Sequence, residues 1–280
     1  MNNSIWQKAA SIDNRILYII MAIVVAVPLM NPIGFPIVFQ QEVLDTVELI
    51  RSFPAGTIAY VGAEVAATNA AELRPMMIAI VQLMYELGHK IVIGGFWADG
   101  CSLARLWAAP FLDEAGAVYG EDYVILGYRP SSTSILDQAR TNFIDAFSDR
   151  DIGGLKLSEM PVMKGLEKAS DLGYLAIMNP GSPGTATYTT AWRATGEVNV
   201  IIDCCTSGMY ISSGNNYQAG LTAGLIGGLN GAAQLEQLTN RPYKAIRSMD
   251  AQALGHLAVI ALLIIGNIGY FQTKREEEAK

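Results

Sequence analysis

Hydrophobic and polar positions divide the chain into two apolar ends and an alternating middle. Residues 16–41 (ILYIIMAIVVAVPLMNPIGFPIVFQQ) contain no charged side chain. The first part reads as a helix, but Pro28, Pro32 and Pro36 then arrive with Gly34 among them. Proline removes a backbone donor and clashes with the preceding turn, so the pattern predicts a helix that kinks or ends near Asn31. That leaves a short span, with the NPIGFPI piece continuing through or along the headgroup region. A cleaved signal peptide is the competing reading, but no small-x-small cleavage site follows, which favours a retained anchor over residues 16–39. At the other end, residues 251–273 again carry no Asp, Glu, Lys or Arg. At about 1.5 Å per residue, a helix of this length crosses a hydrocarbon core of about 30 Å. Lys244 and Arg247 precede it, Lys274 and Arg275 follow, and Tyr270 and Phe271 stand where interfacial aromatics belong.

Between the ends, the pattern changes period. Residues 42–53 read as an amphipathic linker helix, with Val43, Val47 and Ile50 on one side and Glu42, Asp45 and Glu48 on the other. Apolar strands are then predicted at 57–65, 90–96, 123–128, 174–178 and 199–203. The stretches between them read as helices at 69–87, 102–117 (disturbed at Pro110), 134–147, 161–169 and 187–194, with Gly88 as a C-cap and 150–160 as loop. Near-continuous apolar strands such as KIVIGGF are those buried on both faces of a parallel sheet. The expected fold is therefore an α/β domain over 57–238: an open, mostly parallel, three-layer, Rossmann-like sheet flanked by two transmembrane helices. Residues 1–15 form a polar head, with Trp6 as an interfacial anchor, and 274–280 a charged tail.

Residues 208–216 read as a loop or the beginning of a helix, and 217–238 as a glycine-rich helix. Its small-xxx-small spacings are Gly220/Gly224, Gly224/Gly228 and Gly227/Gly231. Each glycine costs a helix about 1 kcal/mol against alanine, and close packing on another helix is the usual compensation. Either the segment packs inside its own domain or these five glycines form a subunit or membrane interface.

Composition sharpens this picture. Only 16% of residues are charged and 51% are hydrophobic, whereas soluble domains carry about 25% charged residues. Two membrane spans would produce that deficit. A net charge of −7 argues against a nucleic-acid partner. The partners expected are a lipid bilayer and other copies of the chain or other membrane proteins. No cofactor motif is present. Residues 181–185 (GSPGT) lead into a helix, but Pro183 removes a donor and no lysine follows, so they are not a phosphate loop. His89 precedes a strand and His256 lies in the presumed span, which nearly excludes a Ser/His/Asp triad. Cys101, Cys204 and Cys205 show no metal-ligand spacing and read as buried apolar residues.

Ligands of a doubly wound sheet sit at the strands' carboxyl ends. Those ends supply Glu64, Trp97, Asp99, Tyr128, Arg129 and Asp203 as candidate ligand-binding residues. Glu64, Asp99 and Asp203 could converge on a cation or act as acid and base, although strand-end acids more often cap helices or hold loops. No residue is assigned a catalytic role and no metal site is assigned.

The strings GEDYVILGY (120–128), GLIGGLNGAAQLEQLTNRP (224–242) and SMDAQALGHL (248–257), together with the opening SIDNRILYII and NPIGFPI, resemble a group of predicted prokaryotic membrane proteins. In that group two terminal hydrophobic segments enclose an α/β domain. The resemblance implies architecture and no activity.

Lys8 and Arg15 before the first apolar segment, with acidic residues after it, place both termini in the cytoplasm and the domain outside. Arg241, Lys244 and Arg247, with the free-looking thiols, pull the other way. The expected function is a membrane-anchored, non-enzymatic α/β protein that self-associates or scaffolds a membrane assembly. The alternatives are a membrane-tethered small-molecule receptor, with Trp97, Tyr128, Arg129 and Asp203 around its cleft, and a metal-assisted hydrolase.

Overall fold

A computed structural model describes residues 13–240 and 244–278. The polar head with Trp6 and Lys8, and Arg241, lie outside the described residues. The chain divides into two units, residues 37–245 and the two ends together.

The larger unit is built on a six-stranded sheet. Its strands are β1 (Ile58–Gly62), β2 (Lys90–Gly94), β3 (Tyr123–Ile125), β4 (Tyr174–Asn179), β5 (Ile201–Cys205) and β6 (Gly224–Gly227). They lie in the order β3-β2-β1-β4-β5-β6, and every neighbouring pair is parallel. This is the α/β architecture the apolar strands predict, with a sixth strand in addition. The strands are short and almost wholly buried because helices cover both faces.

The helices follow local signals. The linker pattern forms α2 (Gln41–Ser52), and α3 (Ala70–Glu86) ends before Gly88, whose φ is +73°. Pro110 divides the next segment into α4 (Gly100–Trp107) and α5 (Ala109–Glu114), since its ring fits only a first helical turn. The third segment also divides, into α6 (Ser132–Ala139) and α7 (Phe143–Ala146). After β4 comes α8 (Thr185–Tyr188), which continues as a π-helical turn over Thr189–Arg193. On one sheet face Tyr60, Val92, Val124, Leu175 and Ile177 meet Phe143, Tyr188 and Trp192 in a buried aromatic core. Residues 161–169 form 3-10 turns where a short helix is expected.

The glycine-rich segment departs from expectation. It is not one helix: α9 (Tyr210–Gln218) ends, β6 adds to the sheet, and α10 (Gly228–Leu238) starts directly from the strand. Gly224 and Gly227 are strand residues, so the small-xxx-small spacings do not lie on one helix face. A Cβ on Gly224 would sit 2.7 Å from Thr46 Oγ1 and 3.1 Å from Ile202 Cγ1, and one on Gly231 3.0 Å from Ile226. At Gly227 it would meet the Tyr210 ring, and at Gly228, with φ +59°, the Ser207 hydroxyl. These glycines are compelled by close packing inside the unit, whereas Gly220 is exposed, with φ +70°, in the turn after α9.

The two outer strands are covered differently. The Leu225 N–H of β6 donates to Thr46 Oγ1 of α2 at 2.9 Å, so a helix hydroxyl takes the place of a neighbouring strand. Beside β3, the Ile152 N–H donates to the Ile125 carbonyl at 2.9 Å. The Asp151 carboxyl holds that turn by accepting the Gly153 and Leu155 N–H groups and the Tyr119 hydroxyl.

The smaller unit contains α1 (Asn14–Met30) and most of α11 (Lys244–Glu278). The first helix ends at Asn31, as its prolines predict. The two run antiparallel, with Val25 beside Gly255 and residues 33–35 bonded to Asp250. Among the described residues one helix is long and apolar enough to cross a membrane, Lys244–Arg275, and 6% of its most apolar window is buried. The expected second span is shorter. With 17 residues α1 measures about 25 Å, less than a hydrocarbon core of about 30 Å.

Replacing Gly224 by alanine is expected to destabilise the larger unit by about 1–3 kcal/mol, the cost of overpacking. Thermal unfolding checks this. Particle size at temperatures where the variant is folded should match wild type.

Candidate functional site

In this strand order the chain proceeds outward from β1 to β3 and, in the opposite direction, from β4 to β6. The reversal lies between β1 and β4, and the crevice beyond their carboxyl ends is the expected ligand position. Two residues past β1, the fully buried Glu64 carboxyl occupies this region. It accepts the Phe96 N–H at 3.0 Å, the Trp97 N–H at 3.1 Å and the Tyr188 hydroxyl at 2.6 Å. Tyr188 in turn lies 3.3 Å from the Tyr60 hydroxyl. Burial pushes the Glu64 carboxyl up to about 7, although its three donors pull the other way. Tyr60 and Tyr188 are raised well above the ordinary phenol value, again by burial first and by Glu64 second.

Glu64 thereby fixes the β2–α4 loop, residues 95–99. The loop lies flat on the end of β1, where a Cβ on Gly95 would stand 2.6 Å from the Ala63 carbonyl oxygen. Trp97 reaches across the reversal point, and its indole N–H donates to the Pro183 carbonyl at 2.8 Å. Pro183 follows a cis peptide bond in the β4–α8 loop. The crevice is thus bridged by the protein's own side chain.

A second buried network stands beside it on β4 and β5. Asp203 accepts Asn179 Nδ2 at 2.9 Å and the Thr185 hydroxyl at 2.7 Å. Burial raises its carboxyl above the ordinary range while those bonds oppose the rise. Asn179 Oδ1 then accepts the Gly181 N–H at 3.2 Å, which shapes the following loop.

Of the six candidates from the sequence, the structure brings Glu64 and Trp97 together. Asp203 has its own partners. Asp99 is exposed at the start of α4, with no side-chain capping bond. Tyr128 and Arg129 follow the outer strand β3, where Tyr128 is exposed and Arg129 is half-buried, its Nε without a hydrogen-bond partner. Glu64, Asp99 and Asp203 do not converge, and among the described residues no group of three His, Cys, Asp or Glu side chains could hold a metal. Cys101 sits at the start of α4, where burial pushes its thiol up to about 12, so it is no nucleophile at neutral pH. Cys204 and Cys205 are likewise raised by burial, and all three are free.

Tyr60, Tyr188 and Thr185 complete these networks without any local sequence signal, whereas Asn179 stands at the carboxyl end of β4. Tyr188 meets Glu64 from 124 positions away, a pairing only the crossing of α8 over the sheet creates.

A separate groove of about 670 Å³ runs between α6 and α8. Thr133, Ser134, Asp137, Arg140, Thr187 and Thr190 are among its lining. Arg140 bonds Asp137 at 3.1 Å and Glu197 at 3.3 Å. The π-helical turn forms part of its wall, a geometry frequent at functional sites.

The fold defines a class: a doubly wound, all-parallel α/β domain in a chain that also contains one helix long and apolar enough, among the described residues, to cross a membrane. No family, curated protein or solved structure matches the chain.

The raised Glu64 carboxyl has a stability consequence. Between pH 4.5 and about 7 the folded carboxyl holds a proton that the unfolded chain has released. Stability therefore falls as pH rises through that window, by about 3 kcal/mol. Glu64→Gln, which retains an acceptor for the loop and a donor for Tyr188, is expected to flatten this slope in denaturant unfolding measured across pH 4.5–7.5.

Proposed function

We propose that the chain is a membrane-anchored, non-catalytic α/β protein that self-associates or scaffolds a membrane assembly. The observation that carries this reading is the helix Lys244–Arg275, long enough to span a bilayer, with 6% of its most apolar window buried. Side chains such as Ile260, Leu263 and Ile264 stand more than half exposed along it. In water such a surface is a liability; in lipid it is the required one.

The two-pass arrangement belongs to the same proposal. Antiparallel α1 and α11 would form a hairpin that leaves both termini on one face of the bilayer. The charges around α1 favour the cytoplasm for the termini and the outside for the larger unit. A helix of 17 residues spans if the bilayer thins or if residues 31–36 extend its reach. The resemblance of the sequence to prokaryotic membrane proteins that enclose an α/β domain between hydrophobic ends implies the same arrangement.

The non-catalytic part is supported by what the strand-end acids do. Glu64 and Asp203 hold loops and neighbouring side chains, and the buried thiols are protonated. Self-association now has its best surface on α1 and α11, since Gly224, Gly227, Gly228 and Gly231 are occupied by neighbours within the larger unit.

A receptor role is the second reading, favoured by the groove between α6 and α8. Its volume lies within the range of about 300–1,000 Å³ typical of small-molecule sites, and it is lined by hydroxyls. Trp97 and Asp203, which the sequence suggests around such a cleft, are not among its lining.

Mass photometry of the full chain in nanodiscs tests the first reading. A discrete oligomer is the expected outcome. Monomers throughout would overturn the assembly and direct attention to native mass spectrometry for a small molecule retained in the groove.

A further inference from the structure

We propose that the turn at residues 31–36 is embedded at the acyl–headgroup boundary of a lipid bilayer, and that Asp250 makes its backbone compatible with that position. The inference rests on the membrane-anchored reading above and adds a specific lipid-contacting element to it.

Non-helical backbone tolerates an apolar phase only when its polar groups find partners within the protein. Every backbone donor from 31 to 36 does. The Asn31 N–H donates to the Val27 carbonyl at 2.9 Å, closing the end of α1. Pro32 and Pro36 have no N–H at all. The remaining three converge on one side chain: Ile33 and Gly34 donate to Asp250 Oδ2 at 2.8 and 2.9 Å, and Phe35 to Oδ1 at 3.1 Å. Gly34, with φ +74°, supplies the left-handed residue that lets three successive N–H groups point at one carboxyl.

Carboxyls also gather N–H groups in turns that face water, as Asp171 does for Glu167 and Lys168, so what sets this turn apart is the character of its outward side chains. Its side chains point to the opposite environment. Met30 is 83% exposed, Ile33 52% and Phe35 36%, whereas Asp250 is 2% exposed. The polar group is inside and the apolar groups are outside, an inversion of the usual surface. No charged residue occurs between 16 and 41, so nothing in the segment resists entry into lipid. Asp250 also immediately precedes the uncharged run 251–273, which sets the turn level with the start of the presumed span. Lipid is the occupant these features fit: a protein partner would ask for shape, a bilayer asks only that donors be paired and side chains apolar.

The test uses the full chain in phosphatidylcholine vesicles. The native cysteines are buried, so Ile33→Cys can be labelled selectively with an environment-sensitive fluorophore. The same label at Leu155→Cys, 59% exposed in the larger unit, gives the aqueous reference. Lipids carrying a nitroxide on the acyl chain should quench the label at 33 several-fold more strongly than the label at 155, and aqueous iodide should do the reverse. Adding Asp250→Ala should move the label at 33 toward the aqueous pattern. Asp250→Asn, which keeps one acceptor oxygen and turns an amide toward the Phe35 N–H, should fall between and serves if the alanine variant does not fold. An aqueous pattern at 33 in the otherwise wild-type chain overturns the inference, and so does shielding from both quenchers, which would mean that protein covers the turn. Lipid quenching that is unchanged in both Asp250 variants overturns the role of Asp250. Vesicle flotation separates the two levels: a chain that does not float overturns the anchoring itself, while a floating chain with an aqueous label overturns only the embedded turn.

Discussion

A backbone N–H taken out of water must find an acceptor, and this chain meets that constraint with side chains brought from far away in the sequence. Glu64 receives the N–H groups of Phe96 and Trp97, and Asp250 those of Ile33, Gly34 and Phe35. Thr46 receives Leu225 at the edge of the sheet, and Glu72 receives Ser207. Each of these bonds fastens a loop, a turn or a strand edge to a residue distant in the chain. Without them the short strands of the sheet would be joined by loops with no fixed geometry, and α1 would have no ordered exit.

The same constraint decides how the acids should be read. A carboxyl at the end of a parallel strand is the usual signature of chemistry, because ligands bind there. In this chain Glu64 and Asp203 are fully buried and surrounded by donors from their own fold. Their raised values follow from burial, which is as consistent with holding a loop as with catalysis. Trp97 bonds Pro183, so the two loops that flank the position where a doubly wound sheet receives its ligand are tied to each other. A groove of about 670 Å³ lies instead on a flank of the sheet, between α6 and α8.

Legibility in the sequence followed the range of the interactions. The strands around Tyr60, Val92, Val124, Leu175 and Ile202 were readable because burial on both faces demands continuous apolar runs. The end of α1 at Asn31 and the break before Pro110 were readable because proline acts within one turn. The segment after α9 was not. Its leucines and glycines recur at helical spacing, yet Gly224–Gly227 pairs with β5, whose backbone donors and acceptors are satisfied only if a sixth strand arrives. Local periodicity could not weigh that distant demand. Among the site residues, Glu64 and Trp97 were visible as strand-end polar groups, while Tyr188 and Thr185 were not, since nothing near them in the chain marks their partners.

The sequence by itself thus determined the class of the protein: a parallel α/β domain between apolar ends, one of them long enough for a bilayer, with no motif for nucleotide, metal or covalent chemistry. These are properties of composition, periodicity and proline placement, and they act over a few residues. Tertiary structure alone decided that the glycine-rich segment is strand and helix, that Glu64 and Asp203 serve loops, and that Asp250 clasps a turn more than two hundred positions away. The reason is that hydrogen-bond acceptors are assigned by position in space, and only the folded chain brings those positions together.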